Sequence, residues 1–270
     1  MEGESVQTSE RSGVELVGFK APVDALVVGA SRGIGQAFAD ALCDQRSIAR
    51  LFVTSREPGR AAATDQLAAN FPERVIPLGL RVDDESSVAS AASELRRHEA
   101  RLGLVINCAG VLHDGQQMRP EKRLEEVDPE NMQRAFAVNA IGPALLAKHL
   151  HASFSRDGRV VFATLSARVG SIEDNRLGGW YAYRVSKAAQ NMVTRNLSIE
   201  LARRVKGMIC VALHPGTVDT ELSRPFQARV PASSLFAPER AASQLLAVID
   251  GLSERDNGSF IAWDGQPIPF

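Results

Sequence analysis

Tyr183 and Lys187 stand four residues apart in a segment with a helical pattern, so a phenol and an ammonium share one helix face. Reducing a carbonyl requires a proton donor beside the developing alkoxide. A tyrosine, with an ordinary pKa of about 10, does this badly unless a nearby cation stabilises its phenolate. Lys187 is such a cation, and only 5 of the 31 basic residues are lysines, so its presence at this spacing owes little to composition. The plain alternative is an ion-bearing pair on a solvated helix face. Trp180 suits either core support or a pocket wall, and Tyr181 should point to another part of the helix.

A second motif carries different chemistry. Gly29, Ser31, Arg32, Gly33, Ile34 and Gly35 belong to GASRGIG, which follows an apolar run and precedes a helical one. A turn there must leave room for a pyrophosphate, and the following helix offers it free N–H groups and a positive dipole end. The spacing G-x-x-x-G-x-G is wider than the usual dinucleotide fingerprint, and an ordinary glycine turn is the bland reading. The next strand ends in Thr54-Ser55-Arg56 with no acid placed to accept a ribose 2'-hydroxyl. Arg32 and Arg56 would instead neutralise a 2'-phosphate, which favours NADP(H) over NAD(H).

These motifs need elements to hold them. Strands are expected over 25–29, 48–54, 75–80, 102–106, 159–164, 208–213 and 259–263, and helices over 37–45, 65–71, 84–98, 129–152, 181–204 and 238–249. Ser86 or Ser87 is a possible cap for the third helix, and Pro143 should distort the fourth. Seven short strands separated by helices predict an α/β fold: a doubly wound, seven-stranded parallel sheet of the Rossmann type with helices on both faces. Residues 1–22 read as a mobile leader and 23–270 as one domain. The stretches 113–128 and 217–234 are rich in Pro, Gly and charge, as lids and binding loops are.

Composition bounds the whole. The 270 residues are 44% hydrophobic and 23% charged, enough for one large core, with a net charge of -1 that gives no electrostatic reason to bind nucleic acid or an anionic membrane. No apolar segment is long enough to cross a membrane, and the polar, acidic start lacks a signal-peptide pattern. Three widely spaced cysteines, Cys43, Cys108 and Cys210, suggest neither a disulfide framework nor a thiolate metal site and fit a reducing, cytoplasmic setting. The five histidines form no metal-binding pattern, and no nucleophile elbow surrounds Ser12, Ser31 or Ser186.

Taken together, the ordered motifs resemble the short-chain dehydrogenase/reductase family, and within it the small sniffer-like and C-factor-like members, over nearly the whole chain from residue 25. The resemblance rests on 29–35, NCAG at 107–110, Asn139 inside a helix, SARVGS at 166–171, GGWYAYRVSK at 178–187 and PGT at 215–217. It implies a catalytic group of Asn139, Ser166, Tyr183 and Lys187: Tyr183 the general acid in reduction, Lys187 its tuning cation and ribose ligand, Ser166 the orienter of the substrate oxygen, and Asn139 the source of a local helix distortion that holds a relay water. It further implies that Asn107, Ala109 and Gly110 support the sheet beside the cofactor. Asp83 would lie near the adenine, and Pro215, Gly216, Thr217, Val218 and Thr220 would line the nicotinamide end. The commoner pattern has two serines before the glycine, whereas the second position here is Ala167, which leaves Ser171 as a competitor to Ser166.

The resemblance implies an NADPH-dependent reductase acting on a small carbonyl or alcohol, working as a homodimer or homotetramer. Phe226, Leu235 and Phe236 are expected either to wall the substrate or to pack the lid onto its own domain or another subunit. Two other classes compete. One is a cofactor-sensing interaction protein with this fold and little turnover; the other is a nucleotide-fold methyltransferase, marked by affinity for S-adenosylmethionine without affinity for NADPH.

Overall fold

The computed structural model describes residues 15–270. Nine strands and seven α-helices follow in chain order: β1 Val23–Val28, α1 Gly33–Leu42, β2 Ile48–Ser55, α2 Ala62–Asn70, β3 Val75–Gly79, α3 Glu85–Arg97, β4 Leu102–Asn107, α4 Pro129–Phe136, α5 Gly142–Leu150, β5 Val160–Leu165, α6 Tyr181–Ala202, β6 Met208–His214, β7 Thr217–Val218, β8 Leu235–Phe236, α7 Pro238–Gly251 and β9 Phe260–Ala262. Seven strands form one parallel sheet in the order β3-β2-β1-β4-β5-β6-β9. The expected sheet is therefore present. β7 and β8 form a separate parallel pair within and beside the lid, and strands of two residues leave no periodic trace in the sequence.

Both faces of the sheet are buried because successive side chains alternate between two cores. Ala25, Val27, Leu104, Ile106, Val161 and Ala163 join Phe38, Leu42, Leu245 and Ile249 of α1 and α7 on one face. Leu26, Val28, Val105, Val160 and Phe162 join Val88 and Leu95 of α3, Leu146 and Leu150 of α5, and Leu201 of α6 on the other. The continuous apolar runs in the strands follow from this double burial.

Local features differ from expectation in instructive ways. Asp84, not Ser86 or Ser87, caps α3, accepting from the backbone N–H groups of both serines. The expected helix over 129–152 is divided by a π-helical turn, Ala137–Ile141, immediately before Gly142 and Pro143. Of the expected leader, residues 1–14 lie outside the described residues. Leu16 and Phe19, by contrast, pack into the core, with Leu16 N–H donating to Gln45 Oε1 at 3.1 Å and Gly18 N–H to Asp250 Oδ1 at 2.7 Å.

The strand order reverses between β1 and β4, the place where open α/β sheets leave a crevice beyond the strand ends. The glycine turn leaves β1 and the NCAG segment leaves β4 at this point, so both motifs face one crevice. A Cβ on Gly29 would lie 3.2 Å from the Ala109 nitrogen.

Candidate active site

The glycine turn is built for close approach. Gly29 and Gly33 have φ of 80° and 56°, which L side chains adopt with strain. A Cβ on Gly35 would stand 2.1 Å from the Gly29 carbonyl oxygen, and one on Gly33 would stand 3.2 Å from Thr220 Cγ2. Thr54 ties the turn down, its hydroxyl accepting from Gly29 N–H at 3.0 Å and its carbonyl from Ala30 N–H at 2.8 Å. Arg32 occupies the N-cap of α1 with no side-chain cap bond, and the first turn of the helix carries no acid. Its N–H groups therefore keep their capacity for an anion, so the cradle fits a pyrophosphate.

The remaining cofactor candidates follow the carboxyl ends of the sheet strands β2 to β6. Asn107 is buried; its Oδ1 accepts from Ala109 N–H at 3.1 Å, while its Nδ2 has no hydrogen-bond partner among the described residues. Ser31 and Ile34 sit half-buried within the turn, and Gly110 is exposed beside it. Arg32 pairs with Glu221 of the lid, both side chains being largely exposed, and Arg56 is exposed just beyond β2. Asp83 is exposed and pairs with Arg81 at 3.5 Å. Pro215 and Gly216 follow β6, where a Cβ on Gly216 would strike Phe236 at 2.7 Å; Thr217 and Val218 form β7.

Tyr183 and Lys187 open α6 and are both buried. The Lys187 Nζ lies 5.7 Å from the Tyr183 ring centroid and donates to the Leu165 carbonyl and to Gln190 Oε1, each at 2.8 Å. Burial pushes the phenol above its ordinary range and pulls the ammonium down to about 7. A Cβ on Gly170 would stand 2.7 Å from Lys187 Cβ, so the 166–171 turn presses directly on the helix at the lysine.

Asn139 is fully buried in the π-helical turn and fixes three groups at once. Its Oδ1 accepts from Val111 N–H at 2.8 Å, and its Nδ2 donates to the Val111 carbonyl at 2.8 Å and to Ser186 Oγ at 3.0 Å. A Cβ on Gly110 would lie 3.4 Å from Asn139 Oδ1 and 3.7 Å from Lys187 Nζ, which brings the amide, the glycine and the lysine into one locality.

The two serines are both buried and both engaged. Ser166 Oγ donates to Asn191 Oδ1 at 2.7 Å, and Ser171 Oγ accepts from Asp174 N–H at 3.0 Å. Ala167 between them has extended backbone and is half-buried. Alternation along an extended segment turns its methyl away from the direction in which Ser166 faces. Phe226 meets Trp180 with ring centroids 4.9 Å apart and His113 at 5.8 Å, while Trp180 lies 6.3 Å from Tyr183. Phe226 thus joins the lid to the wall beside the tyrosine. Phe236 instead packs on Trp263 at 4.8 Å.

Gln190, Asn191 and Glu121 escaped the sequence reading. The first two had a usable signal: Tyr183, Lys187, Gln190, Asn191 and Thr194 recur at one-face helical spacing, and the face is buried. Glu121 had none, as an acid among the charges of 113–128. No group of His, Cys, Asp and Glu suited to a metal ion occurs among the described residues.

Comparison with known proteins agrees with this arrangement. A family model described as enoyl-(acyl carrier protein) reductase matches residues 29–247. The chain is 31% identical over 245 residues to the 1-hydroxy-2-glutathionyl-2-methyl-3-butene dehydrogenase of Rhodococcus sp. (strain AD45), covering 89% of this chain and 96% of that protein. It is 36% identical over 147 residues to C-signal of Myxococcus xanthus, 54% of this chain and 83% of that one. The NADPH-bound carbonyl reductase from chicken fatty liver superposes with a TM-score of 0.80 at 30% identity, over 93% of this chain and 100% of that one. The carbonyl reductase Sniffer of D. melanogaster does so with a TM-score of 0.80 at 25% identity, over 92% and 100%. The cradle at the sheet's switch point, the tyrosine and lysine of α6 and these likenesses have one common meaning: the chain belongs to the short-chain dehydrogenase/reductase family of oxidoreductases.

Proposed function

We propose that the protein is an NADP(H)-dependent reductase of small carbonyl compounds. The observation that carries this reading is that the 107–110 segment touches both halves of the site: a Cβ on Gly29 of the uncapped cradle would lie 3.2 Å from Ala109, and one on Gly110 would lie 3.7 Å from Lys187 Nζ, four residues after Tyr183 on α6. The NADPH-bound relative supports the choice of cofactor, as do the arginines at 32 and 56 and the absence of an acid at the end of β2. The cofactor, when bound, supplies the hydride that adds to the carbonyl carbon.

The chain's own groups do the rest. Tyr183 Oη donates a proton to the substrate oxygen as negative charge develops there, and recovers it in the reverse direction. Lys187 holds the nicotinamide ribose and, by its charge, favours the phenolate against the burial that otherwise opposes it. The hydroxyl that orients the substrate oxygen is Ser166 or Ser171, and reaching the substrate requires Ser166 to leave Asn191. Asn139 positions the loop at Val111 and the start of α6 through Ser186. The protein acts in this reading as a cytoplasmic homodimer or homotetramer.

The test is NADPH consumption against a broad panel of aldehydes, ketones and quinones, with NADPH and NADH affinities measured by calorimetry. Turnover of at least one carbonyl and tighter binding of NADPH are expected. A folded protein that binds NADPH and reduces none of the panel points to the cofactor-sensing alternative.

A further inference from the structure

The sequence Gly178-Gly179-Trp180 enters α6 through three consecutive residues of positive φ, at 63°, 63° and 51°. Glycine accepts this, whereas an L side chain such as tryptophan adopts it only under strain. Trp180 is also the N-cap of α6 and contributes no side-chain cap bond. Something outside the helix must hold this strained entry.

Asn175 Oδ1 accepts from Gly178 N–H at 3.0 Å, and the group that reaches Trp180 itself is Glu121. It is 2% exposed, and no ion pair among the described residues neutralises it. Its backbone carbonyl accepts from Trp180 N–H at 2.5 Å, and its carboxylate oxygens accept from Ala182 N–H at 3.3 and 3.2 Å. A Cβ on Gly179 would lie 3.2 Å from the Glu121 carbonyl oxygen, so the loop approaches as closely as a glycine permits. A buried carboxylate is expensive, and here its compensation is the positive end of a 22-residue helix and the helix's free N–H groups.

The geometry points to Glu121 as the positioning residue of the substrate wall. Its carbonyl holds Trp180 N–H and its carboxylate holds Ala182 in the first turn of α6, and the two together keep Trp180 in its left-handed conformation with the indole beside Tyr183 and under Phe226 of the lid. This inference rests on Tyr183 being the proton donor. Glu121 touches neither Tyr183 nor Lys187 by hydrogen bond among the described contacts, so it acts through Trp180 and the first turn of α6. Shortening or removing the carboxylate frees Ala182 N–H and loosens the first turn of α6, so Trp180, then held by the Glu121 carbonyl alone, relaxes toward ordinary backbone and the wall loses its shape while the cofactor cradle, built from other elements, keeps its own.

The chain has two tryptophans, so Trp263→Phe leaves Trp180 as the sole indole reporter. In that background Glu121→Asp, one methylene too short, should shift Trp180 emission to the red and raise its quenching by acrylamide. In the otherwise unaltered chain Glu121→Asp should lower kcat/KM about tenfold and change the NADPH Kd by less than about twofold. Glu121→Gln, which keeps an acceptor oxygen, should restore both readouts. Trp180→Gly, which removes the ring and the strain together, should raise KM more than it lowers kcat, and adding Glu121→Asp to it should cause no further loss.

A folded Glu121→Asp protein with unchanged emission and kcat/KM overturns the inference. So does a loss of activity matched by an equal weakening of NADPH binding, or full additivity with Trp180→Gly. If the parent protein reduces no carbonyl, the reading of function fails, and the emission measurement still tests Glu121's hold on Trp180.

Discussion

At the scale of the residue, burial sets the chemistry of the site. The phenol of Tyr183 is pushed up and the ammonium of Lys187 pulled down to about 7, so burial alone holds the phenol in its protonated form. Tyr183→Phe should lower kcat about a hundredfold or more and leave NADPH affinity unchanged, as read by turnover and calorimetry. His214, at the end of β6, is held down to about 4, chiefly by burial and then by Arg168. In the unfolded chain it takes a proton near its ordinary value of 6.5, and in the folded protein only near 4. Its neutral form therefore adds stability that is complete above 6.5 and is lost as pH falls toward 4. His214→Asn should flatten the fall of Tm with pH across that window, and an unchanged slope would assign the acid sensitivity elsewhere. The tyrosine and lysine were legible in the sequence because rare types stood at a spacing with chemical meaning. Glu121 was not, because only the contact across to α6 distinguishes it from a solvated acid.

At the scale of the element, the π-helical turn around Asn139 joins three parts of the site. Its amide clamps Val111 at both backbone groups and reaches Ser186 on the helix of Tyr183. Asn139→Ala removes these bonds from a fully buried position and should cost about 3 kcal/mol of stability, measured by denaturant midpoint at constant m-value. Most strands and helices could be read from apolar runs and helical periodicity, since burial on both faces writes itself into short uniform strands. The break in the fourth helix was half legible: Pro143 signalled a distortion, but its π geometry depends on what Asn139 bonds. The β7–β8 pair was illegible because two-residue strands leave no periodic trace.

At the scale of the molecule, near-neutral charge conceals a local imbalance. Arg32 at the N-cap of α1 and Arg56 just beyond β2 are both exposed cations, and Arg32 is paired with Glu221 of the lid. A 2'-phosphate would compete with that carboxylate. Neutral residues at both arginines should lower the preference for NADPH over NADH by about tenfold or more, mainly through weaker NADPH binding, and an unchanged ratio of the two Kd values would remove the arginines from cofactor choice. The topology was legible from the order of elements, and with it the crevice, because right-handed crossovers permit few arrangements. The core role of Leu16 and Phe19 was not, since it arises from contacts with distant segments around Gln45 and Asp250.

The central claim is that this chain moves a hydride to a carbonyl with Tyr183 as the proton source. Incubation with NADPH carrying deuterium at the transferred position, followed by mass spectrometry of the alcohol product, tests it most directly. The wild-type protein should place a single deuterium on the former carbonyl carbon, and folded, NADPH-binding Tyr183→Phe should form little labelled product. Product without the label, or equal labelled turnover by Tyr183→Phe, would contradict the account.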